Sequence, residues 1–235
     1  MRILHISAEC YPAAKAGGLG DVVGALPKYL NRTGTPTGVI IPKYHNDWML
    51  SHSFRQVYQG SVRLHDSFVP FRVEAYEGAD LGYPFYVVDI PGKFDRPGIY
   101  ADPQGGWYQD EVERFLCFQQ AVLQWVVSLP ERPQILHCHD HHTGLIPFLV
   151  QFGLEYQSLS RTPTVFTIHN GEYHGAFDWD RLHLLPFFQT EARPLLEWDH
   201  RINPLASAIR CAWRMTTVSP TYLQELMTFA NGLEG

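Results

Sequence analysis

A chain of 235 residues, 45% of them apolar, is long enough to bury a sizeable core as one large domain or two small ones. Its net charge of −6, without basic runs, excludes nucleic acid or an anionic membrane surface as the main partner, so any phosphate site must be a local feature. The four cysteines (Cys10, Cys117, Cys138, Cys211) have no CxxC spacing, which excludes a zinc ribbon and offers no disulfide framework. The chain opens on a strand rather than on a charged leader or a long apolar run. Neither a signal peptide nor a membrane span is therefore expected, and the cytoplasm is the expected compartment.

In chain order, residues 2–7 form an apolar strand that runs into a loop carrying Glu9 and Lys15. The loop ends in Gly17-Gly18-Leu19-Gly20. A helix follows, with Leu19, Val22, Val23, Leu26 and Leu30 on one face. Pro27 interrupts that helix and should cost about 3 kcal/mol or kink it. Residues 38–42 read as a second buried strand, and 54–90 as a strand-rich insertion with one returning sheet strand. The stretch 91–106, with four Gly and three Pro, is a loop; 109–129 is a helix apolar on more than one side and therefore buried. A strand at 134–138, a helix at 144–153 and a strand at 164–169 come next. Helix-like segments at 191–199 and 203–213 lead to a strand at 215–218 and a helix capped by Ser219. Strands alternating with helices imply a parallel sheet with helices on both faces and ligands at the carboxyl ends of the strands.

Glu9, Lys15, Asp140, His169 and Asn170 all fall at such ends. A strand, a glycine loop and a helix N-terminus make an anion site from backbone N–H groups, the missing Cβ atoms and the helix dipole, and Lys15 adds a mobile charge. The alternative is that the glycines merely turn the chain and Lys15 sits in water. A dinucleotide fingerprint fails, because position 23 is Val and the loop before Gly18 is too long; a Walker loop fails, because its Lys follows the glycines. Among the aromatic residues, Trp48, Trp107, Tyr108 and Trp179 are candidates for stacking on sugar rings.

The cluster His137-Cys-His-Asp-His-His142 invites a metal reading. The His-x-His-x-Asp-His pattern of metallo-β-lactamase-type hydrolases would need Asp at 141, where this chain has His. His137 and His139 share a strand face and His141 lies past the strand end. The plain alternative is a pair of hydrogen-bonded sheet histidines with Asp140 capping the next helix. His169 closes its strand before the sharp Asn170-Gly171 turn, which it either only organises or uses to face a ligand.

Lys15-Ala-Gly-Gly-Leu-Gly-Asp-Val22 resembles the Lys-x-Gly-Gly-Leu signature of bacterial glycogen synthases and plant starch synthases. Residues 3–27 as a whole, His137–Gly144, Thr167–Asn170 and Thr217–Tyr222 are similar to further motifs of that family, in the same order. His141 departs mildly from it, since an aromatic residue usually stands there. The resemblance implies a GT-B-type glycosyltransferase in which two Rossmann-like halves close on the donor, residues 1–235 being the amino-terminal, acceptor-side half. It implies transfer of glucose from ADP-glucose to the 4-hydroxyl of an α-1,4-glucan, with retention and with no metal or cofactor beyond the donor substrate. By the same resemblance His169, Asp140 and Glu9 are assigned to catalysis. Lys15, Gly17, Gly18, Asp21 and Asn170 are assigned to the donor, and His142 and Tyr173 to the sugar wall. The carbonyl of His169 would face positive charge growing at the anomeric carbon. The nucleotide-holding half is expected to be absent from this chain, which would then be folded but silent alone. A non-catalytic glucan-binding module, and a metal-dependent hydrolase built on His137–His142, stay open.

Overall fold

In the computed structural model, which describes residues 1–228, the apolar runs become strands of one sheet. Residues 229–235, the end of the expected 1–235 domain, lie outside the described residues. The chain runs β1 (Ile3–Ile6), α1 (Gly18–Arg32), β2 (Thr37–Pro42), α2 (Asp47–Ser51), β3 (Phe54–Leu64), β4 (Ser67–Tyr76), β5 (Phe85–Asp89) and α3 (Glu111–Ser128). It continues through β6 (Ile135–His139), α4 (Ile146–Phe152), β7 (Thr164–Ile168), β8 (Glu197–Trp198), β9 (Arg201–Ile202), α5 (Pro204–Cys211), β10 (Arg214–Thr217) and α6 (Pro220–Leu226). Eight strands share the sheet in the order β10-β7-β6-β1-β2-β5-β4-β3; the first six are mutually parallel, and β4 runs antiparallel to both its neighbours, β5 and β3. The central strands are apolar on both faces, with Leu4, Ile6, Val39, Ile40, Ile41 and Leu136 fully buried, as a sheet covered on both sides requires.

From β1 the chain steps to β2 on one side, whereas from β6 it steps to β7 on the other. Right-handed crossovers then place α1 on one face and α3 and α4 on the opposite face. The order reverses between β1 and β6, and the loops leaving their carboxyl ends diverge into a crevice.

The structure changes three details. The strand-rich insertion is a β3–β4 hairpin continuous with the main sheet, widening it beyond β5. The segment 191–199 is a 3-10 stretch, Thr190–Leu196, followed by β8. Pro194 deprives that stretch of a donor, and left-handed Asp199 and His200 turn the chain back into β9. Finally, α1 passes unbroken through Pro27. The proline supplies no N–H to the carbonyl of Val23, and the thiol of Cys10 takes its place at 3.7 Å. The Tyr83 hydroxyl donates to the next carbonyl, that of Gly24, at 3.3 Å. A Cβ on Gly24 would lie 2.4 Å from the carbonyl oxygen of Tyr11, so only glycine lets the Glu9 loop rest on the helix.

Candidate active site at the sheet switch point

A cleft of about 980 Å³ opens over the carboxyl ends of β1, β6 and β7. Glu9, Gly17, Gly18, Asp140, His142, His169, Asn170 and Tyr173 all line it. Lys15 and Asp21 do not. They pair with each other at 2.7 Å on the exposed shoulder of α1, with Lys15 also 5.8 Å from the Tyr11 ring.

The glycine loop is held by a buried carboxylate. Glu9 Oε2 accepts from the backbone N–H of Ala16 at 2.6 Å and of Gly17 at 2.9 Å, and its Oε1 accepts from the Tyr100 hydroxyl at 2.7 Å. The Gly17 N–H is thus committed to Glu9. No side chain caps α1, so its first turn, beginning at Gly18, keeps its donors for a ligand. Nothing lies within 4 Å of a Cβ built on Gly17 or Gly18, and that open space faces the cleft.

Asp140 follows β6 with φ of 55°, a left-handed conformation that costs an aspartate on the order of 1 kcal/mol. It is held there by Thr143, whose hydroxyl accepts from the His139 N–H at 2.8 Å, and by its own N–H on the Thr167 carbonyl at 3.1 Å. The conformation turns the carboxylate away from the helix-capping role of the plain alternative. Oδ1 instead accepts from the N–H of His169 at 2.7 Å and of Asn170 at 3.3 Å, tying the end of β6 to the end of β7. Burial pushes the Asp140 carboxyl up to about 6, against the pull of those two backbone donors.

The sequence cluster divides at Asp140. Before it, the histidines face one another: His5 Nδ1 lies 2.9 Å from His139 Nε2, and His139 Nδ1 lies 2.9 Å from His169 Nε2. A neutral imidazole carries one ring proton, so both links must run in the same donor direction, and the chain of rings couples the tautomer of His169 to those of His5 and His139. His137 stacks on His139 with centroids 4.4 Å apart and bonds the Thr167 hydroxyl at 2.7 Å. Burial holds His137 and His169 down to about 4, and His5 and His139 well below the ordinary range. Beyond Asp140, His141 and His142 leave the sheet and sit beside Glu111, at the first turn of α3. The six-residue motif therefore does not converge on one point.

Sequence reasoning missed Tyr100 and Glu111. The only signal for Tyr100 was a lone tyrosine in a Gly/Pro loop, and for Glu111 an acid opening a helix. Of the four aromatic candidates, Trp107 lines the cleft, 6.2 Å from the Tyr173 ring. Trp48 packs on His52 and Phe85, Tyr108 lies under Arg96 and Arg114, and Trp179 under Arg193.

A family model described as the starch synthase catalytic domain matches residues 2–235. A glycogen synthase of Flavobacterium johnsoniae is 48% identical over 234 residues, which cover 100% of this chain and 48% of that protein. One from Halalkalibacterium halodurans is 39% identical over 240 residues, again covering 100% of this chain and 48% of the relative. The solved catalytic domain of starch synthase IV from Arabidopsis thaliana, bound to ADP and acarbose, matches with a TM-score of 0.83 at 29% identity, over 99% of this chain and 48% of that one. The chain spans about half the length of the curated relatives it matches.

Proposed function

The chain belongs to the starch synthase catalytic domain family, and from that premise we propose that it is the acceptor-side half of a retaining hexosyltransferase. The reaction proposed is transfer of glucose from ADP-glucose to the 4-hydroxyl at the non-reducing end of an α-1,4-glucan, with no cofactor beyond the donor. The observation that carries this reading is the uncapped, glycine-opened start of α1 facing the same cleft as His169 and Asp140. A leaving diphosphate gains negative charge as the glycosidic bond breaks, and a helix N-terminus with free donors stabilises that charge where it grows.

Glu9 acts through the loop it grips, keeping Gly17 and Gly18 clear of the phosphate space. Asp140 acts on the other wall. By accepting from the Asn170 N–H it fixes the His169–Asn170 peptide, and a trans peptide sets the His169 carbonyl oxygen on the far side of that bond. That oxygen is the group proposed to face the oxocarbenium-like carbon, with His142 and Tyr173 on the sugar wall and Asn170 beside the donor. Lys15 and Asp21 stand outside the cleft, so the proposed donor role of Lys15 requires it to exchange Asp21 for phosphate when the donor enters. The ADP in the Arabidopsis structure and the twofold length of the relatives support a second, nucleotide-holding half beyond this one.

The test is glucose transfer from ADP-glucose to glycogen, with the full-length protein run beside the 235-residue chain. Transfer by the longer protein alone is expected. Transfer by neither would overturn the proposed reaction, and transfer by the short chain would overturn the half-site assignment.

A further inference from the structure

Two imidazoles and one carboxylate meet on the cleft wall at the long end of hydrogen-bonding distance. Glu111 Oε1 lies 3.5 Å from His141 Nε2 and 3.6 Å from His142 Nε2, both too long for full-strength hydrogen bonds. The three atoms lie within 4.8 Å of one another. A tetrahedral ion with bonds of about 2.0–2.2 Å to nitrogen and oxygen separates its donor atoms by roughly 3.4 Å, so both measured spacings are those of a ligand-to-ligand edge.

The three groups are also held in place. The His142 ring stacks on Tyr100 at 4.8 Å and packs against Phe115 at 4.5 Å, and His141 lies on His142 at 3.7 Å. Gly175, with φ of +66°, presses its backbone on the other side of His141, where a Cβ would come within 2.5 Å of the ring. Neither ring has a partner at Nδ1, and the acceptor beside each Nε2 is Glu111 Oε1 at the long end of hydrogen-bonding range, so the ring proton can move to Nδ1 and free the Nε2 lone pair for an ion. Glu111 keeps about a third of its side chain exposed, and all three residues line the cleft, which leaves a fourth position for water.

We propose that Glu111, His141 and His142 form a site for one divalent first-row transition ion of the zinc class, pinning the turn after β6 to the start of α3. Two imidazoles and a carboxylate suit such an ion and not magnesium or calcium, which take oxygen ligands. The site shares His142 with the sugar wall proposed above, so an ion held there would sit on that wall of the cleft.

The metal-stripped chain titrated with Zn²⁺ is expected to take up one equivalent and to raise its Tm by about 5 °C at saturating excess, because the ion binds only the folded state. Co²⁺ in place of Zn²⁺ should give the intense visible absorption of a tetrahedral site. Glu111→Gln and His141→Phe should each abolish uptake and the Tm shift, while His5→Gln, which alters the separate histidine group in the sheet, should keep both. Circular dichroism of each variant shows that it is folded. Absence of saturable uptake by the parent chain would overturn the site. So would uptake that survives both Glu111→Gln and His141→Phe, or that is lost in His5→Gln alone.

Discussion

The middle of the sheet and its outer edge solve opposite problems. At the switch point, His5, Glu9, His139, Asp140 and His142 are all buried, and the chain accepts a left-handed aspartate to bring them together. At the β3–β4 edge the pattern is simple. Val62, Leu64, Phe71 and Val73 face inward, while Arg55, Gln56, Gln59 and Arg63 face water, and the one buried acid, Glu74, is paired with Lys43. Polar and charged side chains on the outer strand discourage pairing with another edge. Buried polar groups cost stability unless they are bonded, so their concentration at the switch point marks where the fold gives up stability for chemistry.

The largest effect expected separates two glycines of the same helix. Gly24→Ala drives a Cβ into the Tyr11 carbonyl and should lower stability by about 3 kcal/mol, whereas Gly18→Ala meets open space and should stay within about 0.5 kcal/mol. Urea denaturation of both variants gives the comparison; equal losses would mean that the loop does not rest on α1 as described.

The next is a pH profile. His137 and His169 are held near 4 and His142 near 3, chiefly by burial, so the unfolded chain takes up protons below about 6.5 that the fold refuses. Their contribution is complete above the unfolded value and shrinks as pH falls from about 6.5 towards 4. Asp140, raised from 3.8 to about 6, has the reverse sign: its contribution is complete below 3.8 and is lost as pH climbs through 6. The histidines outnumber it, so the urea midpoint should rise between pH 4.5 and 6.5, and Asp140→Asn should steepen that rise. A profile that flattens in Asp140→Asn would reverse the sign assigned to the carboxyl.

The smallest effect belongs to the hairpin. Phe68, 71% exposed at its tip, should tolerate Phe68→Ser within about 0.5 kcal/mol by thermal unfolding, and a loss near 2 kcal/mol would mean that the edge is not the inert region described.

Much of this division was readable in the residues. Apolar runs at 2–7, 38–42, 134–138 and 164–169 placed the central strands, and the rule of strand carboxyl ends placed the cleft. The hairpin's pairing was not readable, because alternation gives a strand its faces and not its neighbour. The short 3-10 stretch at Thr190–Leu196 kept enough helical spacing to look like a longer helix. In the site, the division of the histidines followed from strand alternation. The grip of Glu9 on Ala16 and Gly17, and the approach of Tyr100 and Glu111, depend on how a Gly/Pro loop returns across the cleft, which local sequence does not encode.

The Cys10 thiol that completes the helix at Pro27 carries a chemical consequence. Burial pushes it up to about 12, Cys117 and Cys211 up to about 11, and Cys138 higher still. The thiolate is the competent nucleophile, so burial and these upward shifts slow all four sulfurs towards oxidants and alkylating reagents in the folded chain. The sulfur beside the glycine loop serves as a hydrogen-bond donor in a helix and is shielded from redox chemistry for as long as that helix stands.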